Sequence, residues 1–191
     1  MSLKLTNTLL FSTLLTIGTV HAAETSSLEL KVKTTVTLGT CSAQVMDGDI
    51  ATNTIALGDV TSSQVIAKTY TKPFKIRFSN CAGLPESKAT IKFDRKSGTS
   101  CAGSNGPGFR NIGGTSSSIG LELWTTEQPS GADSVQLLCN TPNAQVVDVS
   151  TAKGNTNFDY KLSARLFDVS GSGKIGAGTF TSPTTLTITY Q

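Results

Sequence analysis

Residues 28–38 alternate apolar and polar positions: Leu28-Glu29-Leu30-Lys31-Val32-Lys33-Thr34-Thr35-Val36-Thr37-Leu38. A period of two is the signature of a strand and sets Leu28, Leu30, Val32, Val36 and Leu38 on one face. Eleven residues at about 3.3 Å each span about 35 Å, roughly twice an ordinary strand. A tight hairpin would put a Gly- or Asn-rich turn directly after the run, but Gly39-Thr40-Cys41 follows instead. The apolar face needs a groove, and with no sequence neighbour to supply one, the expected groove belongs to another molecule.

The same period recurs at 74–78, 89–93, 119–123, 158–166 and 185–190, each run bounded by Gly, Pro, Asn or Ser, and weaker runs lie at 43–45, 54–57, 135–138 and 146–149. One wet and one dry face per strand, with turns between, predicts an all-β immunoglobulin-like sandwich. No helix longer than two turns is expected. Gly171-Ser172-Gly173 reads as a hairpin turn into the last strand. The turn-rich stretch 97–118, with Gly98, Gly103, Gly106, Pro107, Gly108, Gly113 and Gly114, reads as a connection pinned by Cys101 or, less commonly for such segments, a binding loop.

Ahead of these strands, Lys4, an apolar stretch around Leu9-Leu10-Phe11 and Leu14-Leu15, and Val20-His21-Ala22-Ala23 have the layout of a secretory signal peptide, with cleavage after Ala22 or Ala23. Cleavage after Ala22 leaves 191 − 22 = 169 residues, the size of one domain. The signal carries Lys4 and no acid, so the net charge falls from +3 to +2. So small a charge, with both signs interspersed, offers no footprint for nucleic acid, and no apolar run is long enough for membrane insertion. Four cysteines in an exported chain predict two disulfides. Three pairings are possible; the sequential one closes a loop of about 40 residues in each half, worth roughly 3–4 kcal/mol apiece. The competing zinc site lacks any C-x-x-C pair.

Chemistry is sparse. His21, the one histidine, leaves with the signal, which excludes histidine-based triads and the usual histidine metal sites. The carboxylates that a glycosidase would need are Glu86, Asp94, Glu122, Glu127, Asp133, Asp148, Asp159 and Asp168. They fall in turns or on polar strand faces without repeated spacing, so they read as solvating charges. No phosphate-loop or dinucleotide fingerprint opens a helix. Neither catalytic residues nor a cofactor are expected. Trp124 ends a strand, where it either packs at the rim of the sandwich or stacks on a sugar.

The final alternating strand ends at Tyr190-Gln191. Counted as the sixth of a seven-strand sandwich, it leaves an apolar groove open along one edge, which the N-terminal strand has the face to fill. Several short motifs agree with this arrangement: Cys41 soon after the N-terminal strand, Ile55-x-Leu57-Gly58-x-Val60, Pro73-Phe74-x-Ile76-x-Phe78-x-Asn80-Cys81, Ile119-Gly120-Leu121-x-Leu123, Phe158-x-Tyr160-x-x-x-Ala164-Arg165, Gly178 fourteenth from the end, and a penultimate Tyr190. In this order the chain resembles the pilin subunits of chaperone–usher fimbriae, most closely those of type 1 pili, over essentially its whole length.

The resemblance implies an incomplete immunoglobulin-like β-sandwich lacking its last strand. It implies a signal at 1–22, a donor extension at 23–40 and a pilin domain at 41–191, together with a Cys41–Cys81 disulfide that leaves Cys101 to pair with Cys139. The implied partners are a periplasmic pilus chaperone, an outer-membrane usher and neighbouring pilin subunits in a head-to-tail polymer on the cell surface, contributing to adhesion. The implied donor residues are Leu28, Leu30, Val32, Thr34 and Val36; burying four such aliphatic side chains is worth about 6–12 kcal/mol before ordering costs. The implied groove strand carries Gly178, Phe180, Leu186, Ile188 and Tyr190. Many pilins have glycine where Thr34 stands, and the second cysteine pair is not general among them, which suggests a specialised minor subunit. The alternative is a secreted, self-complete β-sandwich in which residues 28–38 close the chain's own sheet and the loops bind carbohydrate or protein.

Overall fold

A computed structural model describes residues 39–191. The expected signal and the donor residues Leu28, Leu30, Val32, Thr34 and Val36 lie outside the described residues. In chain order the elements are β1 (Thr40–Asp47), β2 (Ile50–Ala51), α1 (Ser62–Ala67), β3 (Lys72–Ala82), β4 (Lys88–Arg95), α2 (Ala102–Asn105), β5 (Phe109–Arg110), β6 (Ile119–Trp124), β7 (Gln136–Leu137), β8 (Gln145–Asp148), β9 (Phe158–Asp168) and β10 (Thr184–Tyr190). The larger sheet runs β2-β1-β3-β9-β6-β5 with β7 also on β6, and the smaller runs β10-β4-β8. All strand pairs are antiparallel.

Period-two patterning places the core between the sheets. From β3 come Phe74, Ile76 and Phe78; from β4, Ala89, Ile91 and Phe93; from β9, Leu162, Ala164 and Leu166, all buried in one cluster. At the end of β3 the phase changes. Asn80 takes a left-handed φ of 53°, and the β1–β3 register shifts between Thr40 and Ser42. Such a bulge turns a side chain to the other face, so Cys81 faces inward and bonds Cys41. Cys101 bonds Cys139, tying the long 96–118 connection to the segment after β7.

Three local expectations differ from the structure. Residues 54–57 form no strand: Thr52 folds onto Thr54 through its hydroxyl at 3.0 Å, and the Leu57 carbonyl accepts from the Tyr70 hydroxyl at 2.6 Å rather than from a ladder partner. Gly171-Ser172-Gly173 is not a hairpin turn, because β9 and β10 lie in different sheets; the Asp168 carboxylate closes a local turn there, accepting from the amides of Ser170 at 2.9 Å and Gly173 at 2.7 Å.

The third correction is Glu122, whose position on a polar strand face does not leave it in solvent. The outer face of β9 is covered in part by α1, whose Thr61/Gln64 capping box fixes its start and whose Val65 is 2% exposed. Lys68, in left-handed conformation at the C-terminus of α1, reaches Glu122 Oε1 at 2.8 Å. Arg165 donates to Glu122 Oε2 from Nε at 2.9 Å and Nη2 at 2.7 Å. Burial opposes ionisation of Glu122, but the hydrogen bonds and charges of Lys68 and Arg165 outweigh it and hold the carboxyl below its ordinary range. Trp124 belongs to this cluster: its indole N–H donates to Glu122 at 3.3 Å, and the Arg165 guanidinium lies 5.4 Å from its ring centroid.

A second ionic network lies between β9 and β3. Asp159 accepts from Arg77 Nε at 2.7 Å and Nη2 at 2.9 Å, and Lys75 stands 2.8 Å away. The Arg77 hydrogen bonds, helped by Lys75, hold the Asp159 carboxyl down at about 2. A depressed carboxyl contributes stability that is complete above its unfolded value, near 4, and disappears as pH falls toward the folded value. Urea titrations at successive pH values should therefore show wild type losing its advantage over Asp159→Asn between about pH 4 and pH 2. A constant gap across that range would contradict the assignment.

Candidate functional site

The carboxylates weighed as catalytic acids do not converge. Glu86 pairs with Lys88, Asp94 with Lys92 and Glu127 with Lys161, while Asp148 caps the Ser150 amide at 2.7 Å. An open depression of about 510 Å³ has Glu127, Asp133, Asp159 and Lys161 on its walls, but Glu127 and Asp159 are already engaged by cations. Among the described residues no cluster suits a metal, and no helix is long and apolar enough to cross a membrane. The feature that stands apart is a backbone edge.

β10 pairs with β4 on one side, in the register Leu186↔Phe93, Ile188↔Ile91 and Tyr190↔Ala89. Lys88 and Gln191 exchange both backbone bonds, at 3.3 and 2.9 Å. Antiparallel ladders alternate, so Thr189, Thr187 and Thr185 also turn their amides and carbonyls to β4. The amides and carbonyls of Leu186, Ile188 and Tyr190 consequently face the opposite edge, where no described residue pairs with them. Their side chains point inward and are half-buried against the core. Burial also pushes the Tyr190 phenol above its ordinary value. The opposite face of β10 is a row of exposed threonines: Thr185, Thr187 and Thr189.

The facing wall is β1. Its inward side chains Cys41, Ala43 and Val45 are likewise half-buried against the core, and β2 covers its outer edge only at Met46 and Asp47. The two edges share a flank. The turn after β8 reaches the side of β3 that adjoins β9, where the Ala152 carbonyl accepts from the Cys81 amide at 2.7 Å. Since β8 and β10 flank β4 on opposite sides, β10 lies on the β1 flank. Gly39, just before β1, rests on the backbone of Gly83 and Leu84 so closely that a Cβ there would overlap it.

Of the residues expected to form the C-terminal strand, Leu186, Ile188 and Tyr190 sit on β10 and Phe180 packs against the core from the segment before it. Gly178 lies further upstream with φ +148°, and a Cβ there would stand 2.5 Å from Thr115 Oγ1 and 2.7 Å from the Ser116 amide. Only glycine fits such a position. Sequence reasoning did not find residues 111–118 as the neighbours of this segment; their mixed Asn, Gly, Thr and Ser composition has no period to read.

The family model described as Fimbrial protein matches residues 29–191. The uncharacterized fimbrial-like protein YadL of Escherichia coli (strain K12) is 38% identical over 176 residues, covering 88% of this chain and 87% of that protein. Among solved structures, the P pilus rod subunit PapA aligns at 12% identity and a TM-score of 0.47, over 85% of this chain and 99% of that one. The CupB6 tip adhesin from Pseudomonas aeruginosa aligns at 13% identity and a TM-score of 0.41, over 80% and 42% respectively.

Proposed function

This chain belongs to the fimbrial protein family, and from that premise we propose that it joins its polymer by strand donation along the chaperone–usher route. It is a structural subunit of a surface fimbria and not an enzyme. In the proposed cycle the signal at 1–22 is removed on export, a periplasmic chaperone lends a strand to the edge of β10, and at an outer-membrane usher the extension 23–40 of the next subunit replaces it. The pilin domain is 41–191, and the assembled fibre serves adhesion. Strand addition of this kind takes affinity from main-chain hydrogen bonds and specificity from alternate side chains.

One observation carries the reading: the half-buried face of Leu186, Ile188 and Tyr190 is coupled to a backbone edge without a described partner. An exposed apolar edge is a liability that soluble proteins cover, and residues 28–38 have the period and length to cover it. Leu30→Asp in the full chain puts a carboxylate among the donor side chains and leaves β10 untouched. Light scattering on refolded protein should find head-to-tail polymers for wild type and monomers for Leu30→Asp. Stable monomers for both would favour the self-complete module and contradict strand donation.

A further inference from the structure

Upstream of β10 the C-terminal segment remains paired. The Ile112 amide donates to the Thr181 carbonyl at 2.8 Å, the Ser116 amide to the Thr179 carbonyl at 2.9 Å, and Ser117 and Gly176 exchange bonds at 3.4 and 3.1 Å. Thr115 and Thr179 each donate a backbone amide to the other's hydroxyl at 3.1 Å. Asn111 clamps this contact. Its Oδ1 accepts from the amides of Gly114 at 2.9 Å and Thr181 at 3.0 Å. Its Nδ2 donates to the Ser116 carbonyl at 2.9 Å and reaches the Thr179 carbonyl at 3.4 Å. Both halves of the side-chain amide are in use, so neither alanine nor aspartate reproduces the set.

Parity shows which edge this strap serves. Thr179 and Thr181 bond residues 111–118, and they share the odd parity of Thr185, Thr187 and Thr189, which bond β4. Phe180 shares the even parity of Leu186, Ile188 and Tyr190 and, like them, packs inward. In an extended chain the strap therefore continues the β4 side upstream and leaves the opposite edge clear.

On the strand-donation reading the segment 28–38 of a second copy of this chain lies along residues 180–190, and we propose that the strap at 111–118, clamped by Asn111, is what positions residues 179–181 so that this edge runs unbroken from β10 back to Phe180. Residues 180–190 and residues 28–38 are eleven each, whereas β10 alone offers seven. Without the strap only the core packing of Phe180 would hold the upstream four residues in line with β10, and the incoming strand would be gripped firmly over the downstream part only. This inference rests on the strand-donation reading, and Asn111 is a positioning residue in it, acting through the segment it tethers.

The test uses the full chain carrying Leu30→Asp, refolded with fluorescent peptides of residues 28–38, 28–34 or 32–38, and reads peptide release. The expected result is that the eleven-residue peptide is released at least tenfold more slowly than either shorter one. Adding Asn111→Ala should speed release of the long peptide and of one short peptide by tenfold or more while leaving the other short peptide unchanged. The unaffected peptide is the one lying along β10, which also reports the direction of the incoming strand. Thr179→Val keeps the side-chain shape, removes one hydroxyl of the strap and should give the same pattern more weakly, so it serves if Asn111→Ala does not fold. An unchanged long peptide, or equal acceleration of all three, overturns the inference while strand acceptance stands. If no peptide binds the chain with Asn111 intact, strand acceptance itself fails and takes the inference with it.

Discussion

Ile188→Asp should remove the subunit from the polymer while leaving its domain folded. Ile188 sits midway along the inward face of β10, directly opposite Ile91, which is fully buried. With the edge open, residue 188 is only half-buried, so an aspartate there retains water. Once a strand closes over it, that carboxylate loses its solvent without gaining a cation, at a cost of several kcal/mol. A difference of about 3 kcal/mol already lowers occupancy more than a hundredfold. Co-assembly of tagged Ile188→Asp with wild-type chains should show the variant at chain ends only, still donating its own extension but accepting none. Thr187→Asp is the control, since Thr187 is exposed on the outer face and its substitution should leave incorporation near wild type. Equal incorporation of both variants would mean that the inward face of β10 is not where subunits join.

The largest effect on the fold itself is expected from Arg165→Ala. The Arg165 and Glu122 side chains are 10% and 6% exposed, and removing the guanidinium abandons a buried carboxylate to Lys68, whose own side chain is 43% exposed. Breaking a buried pair from one side costs about 3–5 kcal/mol. For a domain of this size that lowers Tm by on the order of 10 °C. Lys68→Ala, removing the solvated partner, should cost less than about 1 kcal/mol. Guanidinium unfolding of the three proteins checks the order, and equal losses for both variants would show that the pair is not the source of the stability.

The contrast between β10 and this ionic cluster explains what the sequence made legible. Residues 185–190, 74–78 and 89–93 each have one face on the core and the other in water, so burial follows period two and the strands can be read directly. In β9, Leu162, Ser163, Ala164, Arg165 and Leu166 are all buried in succession, because α1 and the segment after β6, where the Thr126 carbonyl accepts from Ser163 and the Ser130 hydroxyl from Arg165, cover the outer face. Nothing in the alternation of β6 or β9 announces that cover. The signals that point to it are non-local: Glu122 and Arg165 are opposite charges that meet across a ladder, and Thr61-x-x-Gln64 starts a short helix just before Val65 and Ile66. The edge proposed to accept a strand can be pointed to from sequence for the same reason as β10 itself. Its upstream extension cannot, because residues 111–118 hold 175–181 through isolated backbone bonds and an asparagine side chain, and neither leaves a periodic trace.

Residue-resolved amide exchange along β10 in the assembled polymer tests strand donation most directly. The amides of Thr185, Thr187 and Thr189 are committed to β4, so they should exchange slowly in monomer and polymer alike. Those of Leu186, Ile188 and Tyr190 face the other edge, where no described residue pairs with them and where, on the strand-donation reading, a strand from another molecule protects them. The account predicts that this second set exchanges rapidly in the Leu30→Asp monomer and as slowly as the first set in the wild-type polymer. Rapid exchange of Leu186, Ile188 and Tyr190 within the polymer would contradict it.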